Sequence, residues 1–368
     1  MSLMKKMKKS TKLEGADILS ESKLFNDKDT IVTQIPAINI ALSGDIDGGM
    51  RPGILSIGGK SRYFKSSYAL LVASAFMKAN PDGVILFYDS EFGSPHEYFK
   101  SFDINIDQVL HIPITNIEEL TFDLAHKLDN NNPDGIKRGD KVFILVDSIG
   151  SVSSLKEAQN AADAHSAADV GVRAKSLKSF YRIITPHLTL KDICMICIQH
   201  TYDEMKMYGK TIMSGGEGGM LASDNVWFIG KSQEKEGTEL VGYNFNINIE
   251  KSRYVKEKAK IEIMVSFEGG ISKYTGMLDL AVASGEVVKP SNGWYQLVDK
   301  STGELIGSKV REKDTANENF LGVVLKRESF KQWVRSTFQV ANVKMVSDDE
   351  ISEAIDSSEE DSVVKLGI

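Results

Sequence analysis

The chain has 368 residues, 42% of them hydrophobic and 26% charged, a composition that supplies one large apolar core and a small appendage. It contains no run of about 18 apolar residues and only two cysteines, so no membrane span, secretory leader or disulfide framework is expected, and a cytoplasmic location is the simplest reading. Net charge is −7 but uneven: five lysines and no acid in residues 1–12, eight acids and no base in residues 348–361, and −4 left on the body. Such a body offers no broad basic surface, so any nucleic-acid contact must come from local loops.

Residues 1–30 read as a basic, weakly helical arm ending near Phe25, followed by the turn-like Asn26-Asp27-Lys28-Asp29. From about 31 to 280, short apolar runs alternate with helical stretches. Ile54–Ile57, Val84–Tyr88, Val142–Val146 and Ile193–Ile198 are nearly continuous apolar runs, as expected of parallel strands buried on both faces. Ser66–Ala79 and Arg173–Ile184 have helical patterning. This alternation predicts an α/β core with a mainly parallel sheet. Residues 281–345 change character: Trp294-Tyr295 and the turn Gly303–Gly307 predict a small sheet, then a helix around Phe330–Val340. Residues 346–368, rich in Ser, Asp and Glu, are expected to form a disordered acidic tail.

The first apolar run leads into Gly58-Gly59-Lys60-Ser61-Arg62-Tyr63-Phe64-Lys65-Ser66-Ser67, and a helix follows. Against the phosphate-binding pattern GxxxxGK[ST], Gly59 is the first glycine, Lys65 the lysine and Ser66 the hydroxyl, while Phe64 replaces the second glycine. Backbone N–H groups at a helix start hold phosphate oxygens, a lysine reaches the β and γ phosphates, and a hydroxyl ligates Mg²⁺. Because phenylalanine lacks the freedom of glycine, the loop backbone is expected to differ locally at Phe64.

The other runs also end in polar groups: Asp89-Ser90-Glu91, Asp147-Ser148 and Gln199-His200. Ligands of parallel sheets bind beyond the carboxyl ends of the strands, so four such endings point to one nucleotide site. Asp147 is expected to hold Mg²⁺, Glu91 to orient or deprotonate water, and Gln199 or His200 to sense the γ-phosphate. Cys194 and Cys197 form a CxxC, but positions three apart on a strand face opposite ways, so they read as buried strand residues.

Together these motifs resemble the RecA/UvsX-type strand-exchange recombinases. The resemblance runs from about Ile31 to Val340 and includes NIALSG and GGM before the loop, YDSEFG, VFILVDSIG, KSRYVKEKAK at 251–260, FEGGI at 267–271 and NGWY at 292–295. It implies a RecA-like P-loop ATPase core over 31–280, an N-terminal oligomerisation arm over 1–30, and a small α+β C-terminal domain over 281–345 that precedes the acidic tail. It also implies ATP and Mg²⁺ as cofactors, DNA-stimulated hydrolysis, filaments on single-stranded DNA, and strand exchange with duplex DNA. Mediator, single-strand-binding and helicase proteins are further implied partners, and no membrane.

By the same resemblance Glu91 is the catalytic glutamate, Tyr98 stacks on adenine and Phe267 lies near the base. Lys256 and Lys258 match a lysine pair that reaches the neighbouring subunit's ATP. Lys156–Ala168 and Thr201–Ser223 correspond to two DNA-binding loops, with Arg173, Lys175, Lys206, Lys210, Gly215, Gly216, Gly218 and Gly219 as candidates. Leu24 and Phe25 are candidates for docking the arm on the adjacent core. The acidic tail either competes with DNA, recruits helpers or only solubilises. Two rival readings are a ring-forming helicase and a non-hydrolysing paralogue that loads a true recombinase.

Overall fold

The structure is a computed structural model and describes residues 3–13, 15–22, 28–163, 171–203, 211–216 and 218–340. Its strands are β1 (Gly53–Gly59), β2 (Val84–Asp89), β3 (Val109–Pro113), β4 (Val142–Asp147), β5 (Cys194–Asp203), β6 (Thr211–Met213), β7 (Asn225–Glu236), β8 (Glu239–Ser252), β9 (Lys260–Ser266), β10 (Gly270–Ile271), β11 (Val287–Ser291), β12 (Trp294–Val298) and β13 (Leu305–Arg311). Among the described residues the first ten form one sheet in the order β10-β9-β8-β7-β1-β5-β4-β2-β3, with β6 paired to β5. The six strands from β7 to β3 run parallel, whereas β8, β9 and β10 return antiparallel.

The helices are α1 (Leu3–Ser10), α2 (Pro36–Ser43), α3 (Lys65–Ala79), α4 (His96–Lys100), α5 (Ile117–Leu128), α6 (Leu155–Ala162), α7 (Val172–Lys191), α8 (Gly218–Ala222), α9 (Met277–Ala283), α10 (Leu321–Lys326) and α11 (Glu328–Phe338). The sheet separates two apolar clusters. On one face α2 and α3 pack with Leu55, Ile57, Cys194, Ile196 and Ile198; on the other α5 and α7 pack with Ile54, Met195 and Cys197. Alternate residues of one strand therefore enter opposite cores, which is why these strands read as unbroken apolar runs. The same alternation sends Cys194 and Cys197 to opposite faces, both buried and unbridged.

Three elements differ from the sequence expectation. The helix expected over Arg173–Ile184 runs on through Pro186 to Lys191, because Leu188 and Lys191 are buried beneath it. Part of the expected loop Lys156–Ala168 is helix α6, started by a capping box in which Ser154 and Glu157 exchange backbone and side-chain hydrogen bonds. The expected loop after His200 opens as a hairpin, Thr201 opposite Met213 and Asp203 opposite Thr211.

Strands β11–β13 form a separate three-stranded antiparallel sheet. Phe320, Val324, Phe330, Val334 and Phe338 carry the C-terminal helices into the same apolar cluster as α2 and α3. Arg335 on α11 pairs with Asp45 at 2.7 Å, and the fully buried Glu286 pairs with Arg327 at 2.6 Å. Among the described residues no helix is long and apolar enough to cross a membrane.

Candidate functional site

The strands β1, β5, β4 and β2, which carry the four polar endings, are immediate neighbours. Their register places Gly59 opposite His200 and Asp89 opposite Asp147, so all four endings emerge at the same end of the strands. The loop Lys60–Phe64 leaves this end and leads into α3. Lys65 is buried, and its ammonium donates to the Lys60 carbonyl at 2.9 Å. Lys60 itself pairs with Asp203 at 2.9 Å, while Ser61 and Arg62 are exposed and Tyr63 half-buried.

The expectation of an altered backbone at Phe64 is not met. Phe64 sits at φ 62°, ψ 17°, the left-handed conformation that glycine adopts freely. A side chain there costs about 1–2 kcal/mol. Packing offsets it: the ring stacks on Phe245 at 5.0 Å and meets Tyr68 edge-on at 5.3 Å. The loop keeps a glycine-like conformation and anchors it with an aromatic ring.

Ser66 donates its hydroxyl to Asp147 Oδ2 at 2.7 Å. Asp147 Oδ1 is buried with no hydrogen-bond partner. Burial pushes the Asp147 carboxyl up to about 6, against the bond from Ser66. An unpartnered buried carboxylate oxygen beside a hydroxyl, under a lysine, suits a magnesium ion held by few protein ligands and by phosphates. The raised pKa has a stability consequence. Between about pH 4 and 6 the folded state holds a proton that the unfolded chain releases, so stability falls as pH rises through that window. Asp147→Asn is therefore expected to stabilise the nucleotide-free protein at pH 7.5 by about 1–2 kcal/mol, after its own unpaired amide is set against the gain. Thermal melts should show that advantage vanish near pH 4.

Glu91 stands opposite this pair across a cleft of about 370 Å³ lined by Ser66, Glu91, Tyr98 and Asp147. Its Oε1 accepts from Ser148 at 2.7 Å and Ser151 at 3.1 Å and lies 2.6 Å from His200 Nε2. Burial works against ionisation, but the bonds from Ser148 and His200 outweigh it and hold the carboxylate below its usual range. Gln199, one residue earlier on β5, points to the other face and donates to Tyr181 Oη at 3.1 Å. Of the two sensor candidates, only His200 contacts Glu91.

A second cleft, about 530 Å³ and mostly apolar, joins the first at Tyr98 and is lined by Phe64, Ser67, Leu71, Tyr98, Val265 and Ile271. Tyr98 and Ser67 share a hydroxyl–hydroxyl hydrogen bond. Phe267 does not line this cleft: it is 59% exposed and packs its ring on Tyr243 at 5.5 Å. A larger cleft of about 670 Å³ opens at the other end of the strands, between Lys28, Arg138 and Lys141, and holds none of the four polar strand endings.

Comparison with known proteins decides the family. Residues 274–334 match the family described as "Bacteriophage T4, Recombination and repair protein, C-terminal domain". The chain is 43% identical to the recombination and repair protein of Enterobacteria phage T4, over 93% of this chain and 88% of that one. It is 26% identical to the RecA protein of Acholeplasma laidlawii strain PG-8A over 77% of this chain and 82% of that one. With the RecA protein of Borrelia hermsii strain HS1 / DAH, identity is 23% over 74% and 75%. The chain belongs to the UvsX family of RecA-type recombinases. Its role is phage recombination and repair, and its core is of the RecA-type ATPase class.

In this UvsX-family chain the described residues considered for DNA lie on α7, in the turn after β6 and on α8. Lys175 is exposed on α7. Arg173 is committed to the protein: its guanidinium donates to the carbonyls of Val152 at 2.8 Å, Ile149 at 3.4 Å and Gly150, and to Ser214 Oγ at 3.3 Å. Gly215 and Gly216 take positive φ in the turn after β6. Gly218 and Gly219 belong to α8, and Gly219 is buried where a Cβ would meet Tyr181 Oη and Gln199 Nε2, both at 2.9 Å. That glycine serves close packing. Lys206, Lys210, Leu24 and Phe25 lie outside the described residues, as do most of the acidic tail's neighbours and the tail itself.

Lys256 and Lys258 follow β8, which runs antiparallel to β7 and ends opposite Asn225. They therefore sit at the end of the strands remote from Lys65. Lys256 donates to the Ser336 carbonyl and Lys258 pairs with Glu250, each at 2.7 Å. Two cations that sequence reasoning passed over lie near this end. Lys251 caps the end of α8 through the carbonyls of Met220, Leu221 and Ser223, and Arg253, 65% exposed, pairs with Asp224 at 2.8 Å. Ser151 was also missed, and Ser148, read only as part of a polar strand ending, was given no role. The signal for them was the run of small hydroxyl residues directly after a strand-end aspartate.

Proposed function

We propose that this recombinase hydrolyses ATP between adjacent copies in a filament on single-stranded DNA, and that the filament exchanges strands with a homologous duplex. The observation that carries the reading is a division of labour across one sheet. Lys65, Ser66, Glu91, Asp147 and His200 gather at one end of its strands, while Arg253, Lys256 and Lys258 stand at the opposite end. One copy cannot bring both sets to one phosphate; head-to-tail stacking can, and repetition of such a contact gives an open helix.

In this reading residues 31–280 form the ATPase core, with residues 1–30 as the arm and 281–345 as the small domain. Lys65 binds the β and γ phosphates, and Tyr98 holds the base in the apolar cleft. Ser66 and Asp147 hold Mg²⁺, which neutralises charge on the phosphate oxygens when bound. Glu91, ionised and fixed by Ser148, takes the proton of the attacking water. His200 hydrogen-bonds Glu91 at the root of the β5–β6 hairpin, so a change at the γ-phosphate is passed to the loop facing DNA. The cations of the next copy stabilise the transferring phosphate, which ties turnover to assembly.

ATP hydrolysis measured with and without single-stranded DNA tests this directly. Strong stimulation by DNA, with filaments in the electron microscope, is the expected result; no turnover in either condition sinks it and favours a non-hydrolysing paralogue. The cations at the opposite end give a finer test. Arg253→Ala, Lys256→Ala and Lys258→Ala should each leave the fold intact by circular dichroism and lower DNA-stimulated turnover. Arg253 is expected to show the largest loss, about 10²-fold or more, because a guanidinium binds phosphate bidentately.

A further inference from the structure

The catalytic turn is shaped by a buried carboxylate to which its motif assigns no role. Asp89, the last residue of β2, is 3% exposed. Its Oδ1 accepts from the backbone N–H of Glu91 at 3.0 Å and of Phe92 at 2.8 Å. Its Oδ2 lies 3.1 Å from Nε2 of His111, which projects from the edge strand β3 and is half exposed. Both oxygens are thus occupied, one by the turn and one by the sheet edge. The turn is also strained: Phe92 takes φ 54° while its ring is 63% exposed. A left-handed aromatic with little packing of its own needs another restraint, and the Asp89 carboxylate supplies it through the Phe92 amide. Ser90 completes the clamp by donating to the Ser148 carbonyl at 2.8 Å and accepting from the Ser148 N–H at 3.1 Å.

We propose that Asp89, held in place by His111, is a positioning residue for Glu91. Its carboxylate fixes the backbone from which the Glu91 side chain reaches the phosphate cleft. Without it the turn relaxes toward ordinary φ values, and Glu91 Oε1 leaves the site set by Ser148 and His200. Proton transfer depends steeply on such placement, whereas phosphate binding rests on Lys65 and the loop backbone, which Asp89 does not touch. The carboxylate's effect should therefore fall on kcat and not on KM. His111 transmits restraint from β3, so its loss should weaken the clamp without removing it.

This inference rests on the role proposed for Glu91, and a double-mutant cycle in the full chain with single-stranded DNA separates the two. Asp89→Ala is expected to lower kcat for ATP by about 30–100-fold with KM changed less than about threefold. Asp89→Asn, which keeps an oxygen for both amides, should recover to within about fivefold of the parent. In a Glu91→Gln background Asp89→Ala should cost nothing further, because the group it positions is already disabled. His111→Ala, a half-exposed site that leaves the fold intact, should lose about fivefold in kcat, again only when Glu91 is present. An equal loss from Asp89→Ala in both backgrounds, a matching rise in KM, an asparagine no better than alanine, or a fully active His111→Ala would each overturn the proposal. If Asp89→Ala does not fold, the asparagine and His111 variants carry the test. Wild-type turnover in Glu91→Gln alone would instead fault the role given to Glu91.

Discussion

Lys65→Ala is expected to lower ATP turnover by about a thousandfold or more, to the level of the assay blank. Lys65 is buried, and its ammonium stands among the Lys60 carbonyl, Glu91 and Asp147. Burial lowers its pKa, while the two carboxylates oppose that and favour the cation. A triphosphate adds several negative charges to a site that already holds two carboxylates. Without the ammonium, neither its binding nor the charge developing on the transferred phosphate is compensated. The fold should survive, because the variant removes a desolvated cation and leaves the α3 backbone unchanged. Phosphate release with saturating DNA and circular dichroism on the same preparation test both halves. Retained turnover would remove the loop from the site.

Glu91→Gln should separate binding from chemistry. Glutamine preserves the shape of the side chain and an oxygen for Ser148 and Ser151, but it cannot take a proton from water. Turnover should fall by about 10²–10⁴-fold while nucleotide affinity holds within a few-fold. Filaments of this variant should accumulate with ATP bound. Glu91 is held below its ordinary pKa by Ser148 and His200, so it stays ionised throughout the working range. The acid limb of kcat/KM should therefore report Asp147, titrating near 6 in the nucleotide-free protein, and should persist in Glu91→Gln. A limb that vanishes in that variant would assign it to Glu91.

The chemistry of this site was legible as separate fragments. Apolar runs of four to six residues ending in Asp, Glu, Gln or His marked the strands, because a strand buried on both faces must be apolar throughout and can carry polarity only at its ends. The GGKSRYFKS turn announced a phosphate loop despite its missing glycine. The edge-strand β3 and the long β7–β8–β9 meander were not legible in the same way. Their alternating or mixed patterns, such as Val-Leu-His-Ile-Pro at 109–113, resemble loop and helix sequence until a neighbouring strand is known. The capping box at Ser154 and Glu157 was legible in the sequence, although Glu157 falls in the segment 156–168 expected as a loop.

The sequence by itself determined the class of the core, the strand ends, the phosphate loop and the family, because local periodicity and short motifs follow from residues adjacent in the chain. Tertiary structure alone decided which endings face one another. The order β1-β5-β4-β2 brings Glu91 to His200 and Ser66 to Asp147, pairs separated by 109 and 81 positions. The pleat of β5 chose between Gln199 and His200, sending one to Tyr181 and the other to Glu91. The ring of Phe245, far along the chain, lets Phe64 hold a glycine's conformation. Each outcome depends on contacts across the sheet, and no local pattern encodes how distant strands will align.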